Sequence, residues 1–349
     1  MNNETVNPTE PVISDSGLPV SVRVCDSVRE RDGGMMMRAV AYEVARPKSA
    51  LQVVDAVVPN RKAGQMLVRV ETASLTSLKR RRRIDMAKGQ RLFTSLSVPA
   101  YGIAGRVVES DSNSKFRPGD RVMSHVNHVA GEVCAEFAVC GDQHSALIPE
   151  TMPMDEASVI PMAGAMALQA IREDAKVVSG DRVLINGASG GIGALAIQIA
   201  KQTGAHVTAV ASAANEPFCR ELGADEFISY QDMNFTWNGT RWDVIFDVVG
   251  KASFREVLDV LKHGGRYVST RPGEDPTLVS WFAWLFSKTG TAMDLRPNAE
   301  KLDELIQLYE NHRLSIPIDS RFAMHEAADA DRRFEEGLIR GKVVLLNNF

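Results

Sequence analysis

The chain has 349 residues, 44% hydrophobic and 24% charged, with a formal charge of -4. Composition of this kind is globular and supplies material for two cores, since one core seldom grows past roughly 250–300 residues. The charge balance argues against a nucleic-acid coat, no apolar run reaches the ~18–20 residues of a membrane span, and the scattered Cys25, Cys134, Cys140 and Cys219 make no disulfide framework.

Residues 1–35 are polar, with scattered Pro and Ser and no apolar period, and read as a disordered leader. They lack an apolar h-region and carry Glu4, Glu10 and Asp15, which argues against a secretory or mitochondrial presequence. A reduced, cytoplasmic protein is expected. Residues 36–154 are short-period. Met66–Thr72 alternates apolar and polar, the period of a strand. Gly102–Val108 and Asp120–Met123 follow, beside turn residues such as Pro118 and Gly119. The region reads as an all-β, barrel-like domain.

Over 155–290 helix and strand alternate. An Ala- and Met-rich helix over Asp155–Ile171 precedes strand Arg182–Asn186, helix Gly191–Lys201, strand His206–Val210 and helix Pro217–Leu222. Strands near Glu226–Ser229, Asp243–Asp247 and Gly265–Ser269 complete βαβ units, so the class is α/β with a doubly wound parallel sheet. Residues 291–349 hold helix Asn298–His312, strand Ile316–Phe322, helix Glu326–Glu336 and strand Lys342–Leu346. This mixed tail is expected to rejoin the first domain.

The informative stretch is Val183-Leu-Ile-Asn-Gly-Ala-Ser-Gly-Gly-Ile-Gly193. An apolar strand runs into a Gly-rich turn that opens an apolar helix. Gly187, Gly190 and Gly193 have G-x-x-G-x-x-G spacing. A tight turn needs flexible φ, a diphosphate needs bare backbone N–H groups, and the helix must pack close to the strand. A lone glycine pattern is weak; here strand, turn and helix all fall where dinucleotide binding requires them. Ser189 can add a hydroxyl donor. NAD sites usually place Asp or Glu about 20 residues after the motif. No acid occurs between Ala194 and Asn215, which permits the 2′-phosphate of NADPH, with Ser212, Asn215 and Tyr230 as hydrogen-bond partners. Tyr230 is equally readable as a strand-end aromatic packed on the helices.

On these residues the chain resembles the quinone oxidoreductase branch of the medium-chain dehydrogenase/reductase superfamily. The matching stretches are Arg38–Tyr42, Val68–Ser74, Phe116–Val122, Asn186–Gly193, Glu221–Asp225, Asp243–Gly250 and Arg340–Leu345. The resemblance implies a GroES-like β-barrel catalytic domain, a Rossmann domain and a substrate cleft between them. It implies diphosphate contacts from Ser189, Gly191, Ile192 and Gly193, and a 2′-phosphate end at Ser212 and Tyr230. Val249 and Gly250 would lie along the nucleotide, and Arg340 would reach back toward it. The chain departs from the family at Thr76, Ala100, Gly102 and Met166, where the pattern has Asn, Gly, Asp and Thr.

Zinc-dependent relatives need thiolate and imidazole ligands at set positions. The early segment here is Ala73-Ser74-Leu75-Thr76, there is no Cys cluster, and His125 and His128 have only Cys134 nearby. No metal is expected. The expected reaction is hydride transfer from NADPH to a quinone or an α,β-unsaturated carbonyl, whose developing charge delocalises onto oxygen. Thr76, Tyr101 and the backbone near Ser269 and Thr270 are the candidate substrate contacts. An enoyl-thioester reductase and a non-catalytic NADPH-binding sensor or scaffold are the alternatives. The basic run Lys79–Arg83 is either a solvated face or an attractor for an anionic substrate handle. The aromatic run Leu278–Phe286 reads as core or dimer interface, then as a lid over the cleft, then as a peripheral membrane foot. A homodimer acting on small molecules is the expected assembly.

Overall fold

A computed structural model of the chain describes residues 22–23, 35–43, 51–76, 96–97, 100–126, 134–237, 239–270 and 287–348. The first part is all-β: β1 Val22–Arg23, β2 Met36–Glu43, β3 Gln52–Val57, β4 Gln65–Leu75, β5 Leu96–Ser97, β6 Ala100–Glu109, β7 Arg121–His125, β8 Phe137–Gly141 and β9 Ser145–Leu147. β4 is its hub. Met66, Val68 and Val70 are buried while Arg69 is exposed, and the strand pairs antiparallel with both β6 and β8. The leader expected over 1–35 lies almost wholly outside the described residues; within it, β1 pairs with β3 at Val22↔Ala56. The Lys79–Arg83 and Leu278–Phe286 runs also lie outside them.

A helical run over residues 154–174 follows. The uniform helix expected from Asp155 is instead α at Met154–Val159 and Ala165–Leu168, with π turns at Ile160–Gly164 and Gln169–Asp174. Pro161 lacks the N–H that a regular i→i−4 ladder needs, which accounts for the first widening. The run packs tightly on the barrel. A Cβ on Gly102 of β6 would sit 2.4 Å from the Ser158 carbonyl oxygen. Position 102 therefore cannot carry the aspartate of the family pattern in this packing.

The parallel layer is built from β10 Arg182–Asn186, α1 Gly191–Gln202, β11 His206–Ala211, α2 Glu216–Glu221, β12 Glu226–Ser229, β13 Trp242–Asp247, α3 Phe254–Val257, β14 Leu261–Ser269 and β15 Thr289–Ala292. Its strands run in the order β12-β11-β10-β13-β14-β15, every neighbouring pair parallel. Val183, Leu184 and Ile185 are wholly buried because helices cover both faces, so β10 reads as an unbroken apolar run. β15 carries the sheet to Ala292, just past the boundary expected at 290. Sequence order reverses direction between β10 and β13. At such a switch point the loops leave in opposite directions and open a crevice above the strand ends.

The chain then forms α4 Ala299–Glu310, β16 Ile318–Ala323, α5 Ala327–Glu336 and β17 Lys342–Leu346. Asn298 caps α4 by accepting from the Lys301 N–H. β17 pairs antiparallel with β4, matching Leu345 with Ala73, and parallel with β16. Val343 and Leu345 join Val68, Ile103 and Phe116 in the barrel core. The last strand therefore lies beside the crevice above β10. Among the described residues no helix is long and apolar enough to cross a membrane.

Candidate functional site

The turn after β10 meets the demands of a phosphate cradle. Gly187 has φ +87, a region that favours glycine. Its N–H and that of Ala188 donate to the Val210 carbonyl at 3.0 and 3.1 Å, tying the turn to the end of β11. A Cβ on Gly193 would lie 2.2 Å from the Gly187 oxygen, so the helix can close on the turn only with glycine there. Gly190 differs. It caps α1 at φ -76 and ψ 170, ordinary extended backbone, and a Cβ there would meet only the Gly187 oxygen, at 3.6 Å. Among the described residues nothing accepts from the N–H groups of Gly191, Ile192 and Gly193. Those three donors lie together at the positive end of a 12-residue helix, an arrangement that fits an anion.

A second cluster joins the sheet to the returning chain. Asn215, 1% exposed, donates through Nδ2 to Ser189 Oγ at 3.0 Å and accepts through Oδ1 from Arg340 Nε at 3.0 Å. Arg340 Nη2 donates to the Ala214 carbonyl at 2.8 Å. The Gly341 N–H donates to the Ser189 carbonyl at 2.8 Å, and Gly190 bridges Gly341. Ser189, Gly190, Asn215 and Arg340, picked separately from the sequence, thus meet above β10 and β11. Ser212 is buried at the end of β11. Tyr230 is anchored by its N–H to the Ala211 carbonyl, yet the residue is 63% exposed, so the packed strand-end reading does not hold.

On the other side of the switch point Asp247 organises the turn after β13. Its carboxylate is fully buried and accepts from Asn186 Nδ2 at 2.8 Å and from the Gly250 and Ala252 N–H groups at 3.0 Å; the Tyr267 hydroxyl lies 3.2 Å away. Gly250 has φ +62, and Val249 stands over Gly187, where an added Cβ would come within 2.7 Å of its Cγ2. Ser269 is buried at the end of β14, and Thr270 Oγ1 donates to the Val248 carbonyl at 2.9 Å. Val249, Gly250, Ser269 and Thr270 therefore form one wall, held by an aspartate that sequence reading quoted but gave no role.

Thr76 and Tyr101 follow β4 and lie in β6, and the strands pair nearby at Leu75↔Ala100 and Ser74↔Gly102. The Tyr101 ring lies 6.1 Å from that of His125. Thr76 Oγ1 accepts from Lys342 Nζ at 3.3 Å. Lys342 is the other residue that sequence reading passed over. It is 7% exposed on a strand whose neighbours Val343 and Val344 are wholly buried. A buried lysine opening so apolar a strand is the signal that could have flagged it.

Among the described residues no group of three or more His, Cys, Asp or Glu could hold a metal ion. Burial pushes the Cys134, Cys140 and Cys219 thiols up to about 12, so they stay un-ionised in the free protein. His128 lies outside the described residues.

The family described as zinc-binding dehydrogenase matches residues 222–345. The chain is 29% identical over 327 residues to the chloroplast envelope quinone oxidoreductase homolog of Arabidopsis thaliana, covering 89% of this chain and 99% of that one. It is 28% identical over 301 residues to the chloroplastic NADPH-dependent alkenal/one oxidoreductase of the same plant, covering 83% of this chain and 74% of that one. The solved quinone oxidoreductase of Coxiella burnetii superposes with a TM-score of 0.80 at 31% identity, covering 90% of this chain and all of that one.

Proposed function

Because the chain belongs to the zinc-binding dehydrogenase family, in the quinone oxidoreductase branch of the medium-chain dehydrogenases and reductases, we propose that it transfers hydride from NADPH to a quinone or an α,β-unsaturated carbonyl without zinc. The observation that carries the reading is the anion cradle at Gly190–Gly193, open to the crevice at the switch point. A bound nicotinamide cofactor supplies the hydride. The protein holds the diphosphate on α1, keeps the nucleotide between the Asn215 and Asp247 walls, and presents Thr76 and Tyr101 at the barrel side of the cleft. The acceptor's developing oxygen charge needs a donor held in place beforehand, and the Thr76 hydroxyl, backed by Lys342, is that donor in this proposal. The same reading takes the protein as a cytoplasmic homodimer acting on small molecules.

NADPH is expected to bind more tightly than NADH. No acid stands between Ala194 and Asn215, and the Arg340 guanidinium lies against Ala214 at the end of β11, favourable for a 2′-phosphate. The preference is expected to be modest, because Arg340 already spends two donors on the protein. Titration by tryptophan fluorescence checks this; equal or reversed affinities would remove the 2′-phosphate from the reading.

Metal independence is tested separately. Treatment with a strong chelator is expected to leave quinone reduction and the melting temperature unchanged. Stoichiometric zinc in the purified protein, lost together with activity on chelation, would overturn this part of the proposal.

A further inference from the structure

We infer that Lys342 is a positioning residue that supplies, from the barrel's last strand, the counter-cation for the diphosphate of the bound dinucleotide. The inference rests on the cofactor reading above and adds a residue and a linkage to it. Lys342 packs its stem on the first residue of α1: a Cβ on Gly191 would lie 2.8 Å from its Cδ. Its N–H is fixed to the Pro317 carbonyl at 3.0 Å. Among the described residues its Nζ has one partner, the Thr76 hydroxyl at 3.3 Å, although an ammonium carries three donors.

No carboxylate among the described residues pairs with it. Several charged groups on the elements packed against β17 are engaged elsewhere. On β16, Asp319 holds Arg333 and Arg321 holds Asp155 of the helical run; Glu156 of that run bonds Tyr309. On β4, Glu71 holds Arg106 and Arg69 lies over Phe137. On α5, Asp329 holds Arg332 and Glu336 lies with Arg333. Arg340, two residues upstream, turns to Asn215 and Ala214.

A buried cation without a counter-charge is unfavourable, and here it stands beside a helix N-terminus of the same sign. Both are relieved by one anion. The anion that the unpartnered N–H groups of Gly191, Ile192 and Gly193 would hold lies against the same residue as the lysine stem.

The ammonium state follows from that environment. Burial alone pulls the Lys342 amine down to about 8 in the free protein. A diphosphate alongside favours the charged form and raises that value again. From about pH 8 upward the complex then holds more protons than the free protein. Binding takes up a proton there, and affinity falls as pH rises through the free value, by up to about tenfold per pH unit.

The test is calorimetric titration of the full chain with NADPH and with NADH from pH 7 to 9.5, in buffers of different ionisation enthalpy. It is run on wild type, Lys342→Met and Lys342→Arg. NADH lacks the 2′-phosphate, so proton uptake shared by both nucleotides belongs to the diphosphate end. Wild type is expected to take up close to one proton at pH 9 with either nucleotide. Lys342→Met is expected to bind roughly 10- to 100-fold more weakly with no uptake. Lys342→Arg is expected to keep most of the affinity and lose the pH dependence. Binding by wild type without uptake overturns the inference, even if Lys342→Met does not fold. So does a folded Lys342→Met that retains affinity and uptake. Failure of wild type to bind either nucleotide would instead overturn the cofactor reading itself.

Discussion

Replacing Gly190 with valine is expected to abolish dinucleotide binding and leave the fold intact. Gly190 occupies extended backbone open to any residue, and a Cβ there would make only an ordinary contact, with the Gly187 oxygen at 3.6 Å. A valine there strains nothing in the free chain, so the melting temperature should stay within about 2 °C of wild type. Its two γ-carbons would fill the volume in front of the Gly191–Gly193 N–H groups, where a phosphate must approach to hydrogen-bond distance. An affinity loss of at least about 100-fold follows from losing those charge-assisted bonds. Gly193→Ala is the contrasting control. Its Cβ would fall 2.2 Å from the Gly187 oxygen and 2.7 Å from the Ala188 Cα, so α1 must move off the turn. That variant should lose several kcal/mol of stability as well as binding. Thermal melts and fluorescence titrations separate the two. A Gly190→Val protein with wild-type affinity would move the phosphate to another site.

The second large effect is on stability. Asp247→Ala is expected to destabilise the protein by about 3–5 kcal/mol, because it leaves the Asn186 amide and two backbone N–H groups facing a buried void. At about 2–4 °C per kcal/mol for a unit of this size, the melting temperature should fall by roughly 10 °C. Asp247→Asn keeps the volume but offers an N–H₂ group where an acceptor is needed, so it should recover only part of the loss. The turn over 248–252 would loosen in both variants, and Val249 would no longer be held over Gly187. Nucleotide affinity should therefore drop in the folded fraction too. A melting temperature unchanged within 2 °C would show that the turn is held by its backbone alone.

Much of this molecule is legible in its sequence because backbone demands leave strong marks. The run from Val183 to Gly193 shows strand, turn and helix in eleven residues, and the structure has β10, a left-handed Gly187 and α1 at those places. β12 falls at Glu226–Ser229 as expected, and the helix expected from Asn298 forms with that residue as its cap. The losses come from longer range. The helix expected over Asp155–Ile171 is interrupted by π turns, whose form depends on what the run packs against. Gly102 looks like a lost polar group in the sequence; only the approach of Ser158 shows that no side chain fits. Tyr230 could be packed or free, and nothing local decides it. Asp247 closes one largely apolar strand and Lys342 opens another, positions where a charged residue is easily passed over. Their partners lie far away in sequence, at Asn186 and Tyr267 for one and at Thr76 for the other.

If the cofactor lies where we propose, the bridge between Gly190 and Gly341 sets a condition on when this protein can first hold a nucleotide. The parallel sheet is complete once Ala292 has been made, and α1 already offers its N–H groups by then. Yet Arg340, Gly341 and Lys342, which close the cradle from the other side, arrive more than forty residues later. A chain emerging from the ribosome, which grows from its N-terminus, carries half a site until β17 has threaded beside β4 and β16. A nucleotide held at the proposed site would therefore bind the finished fold in preference to any partly made chain, and by mass action would stabilise only the former. Starvation for nucleotide should consequently be felt as faster turnover of completed molecules, with nascent chains unaffected.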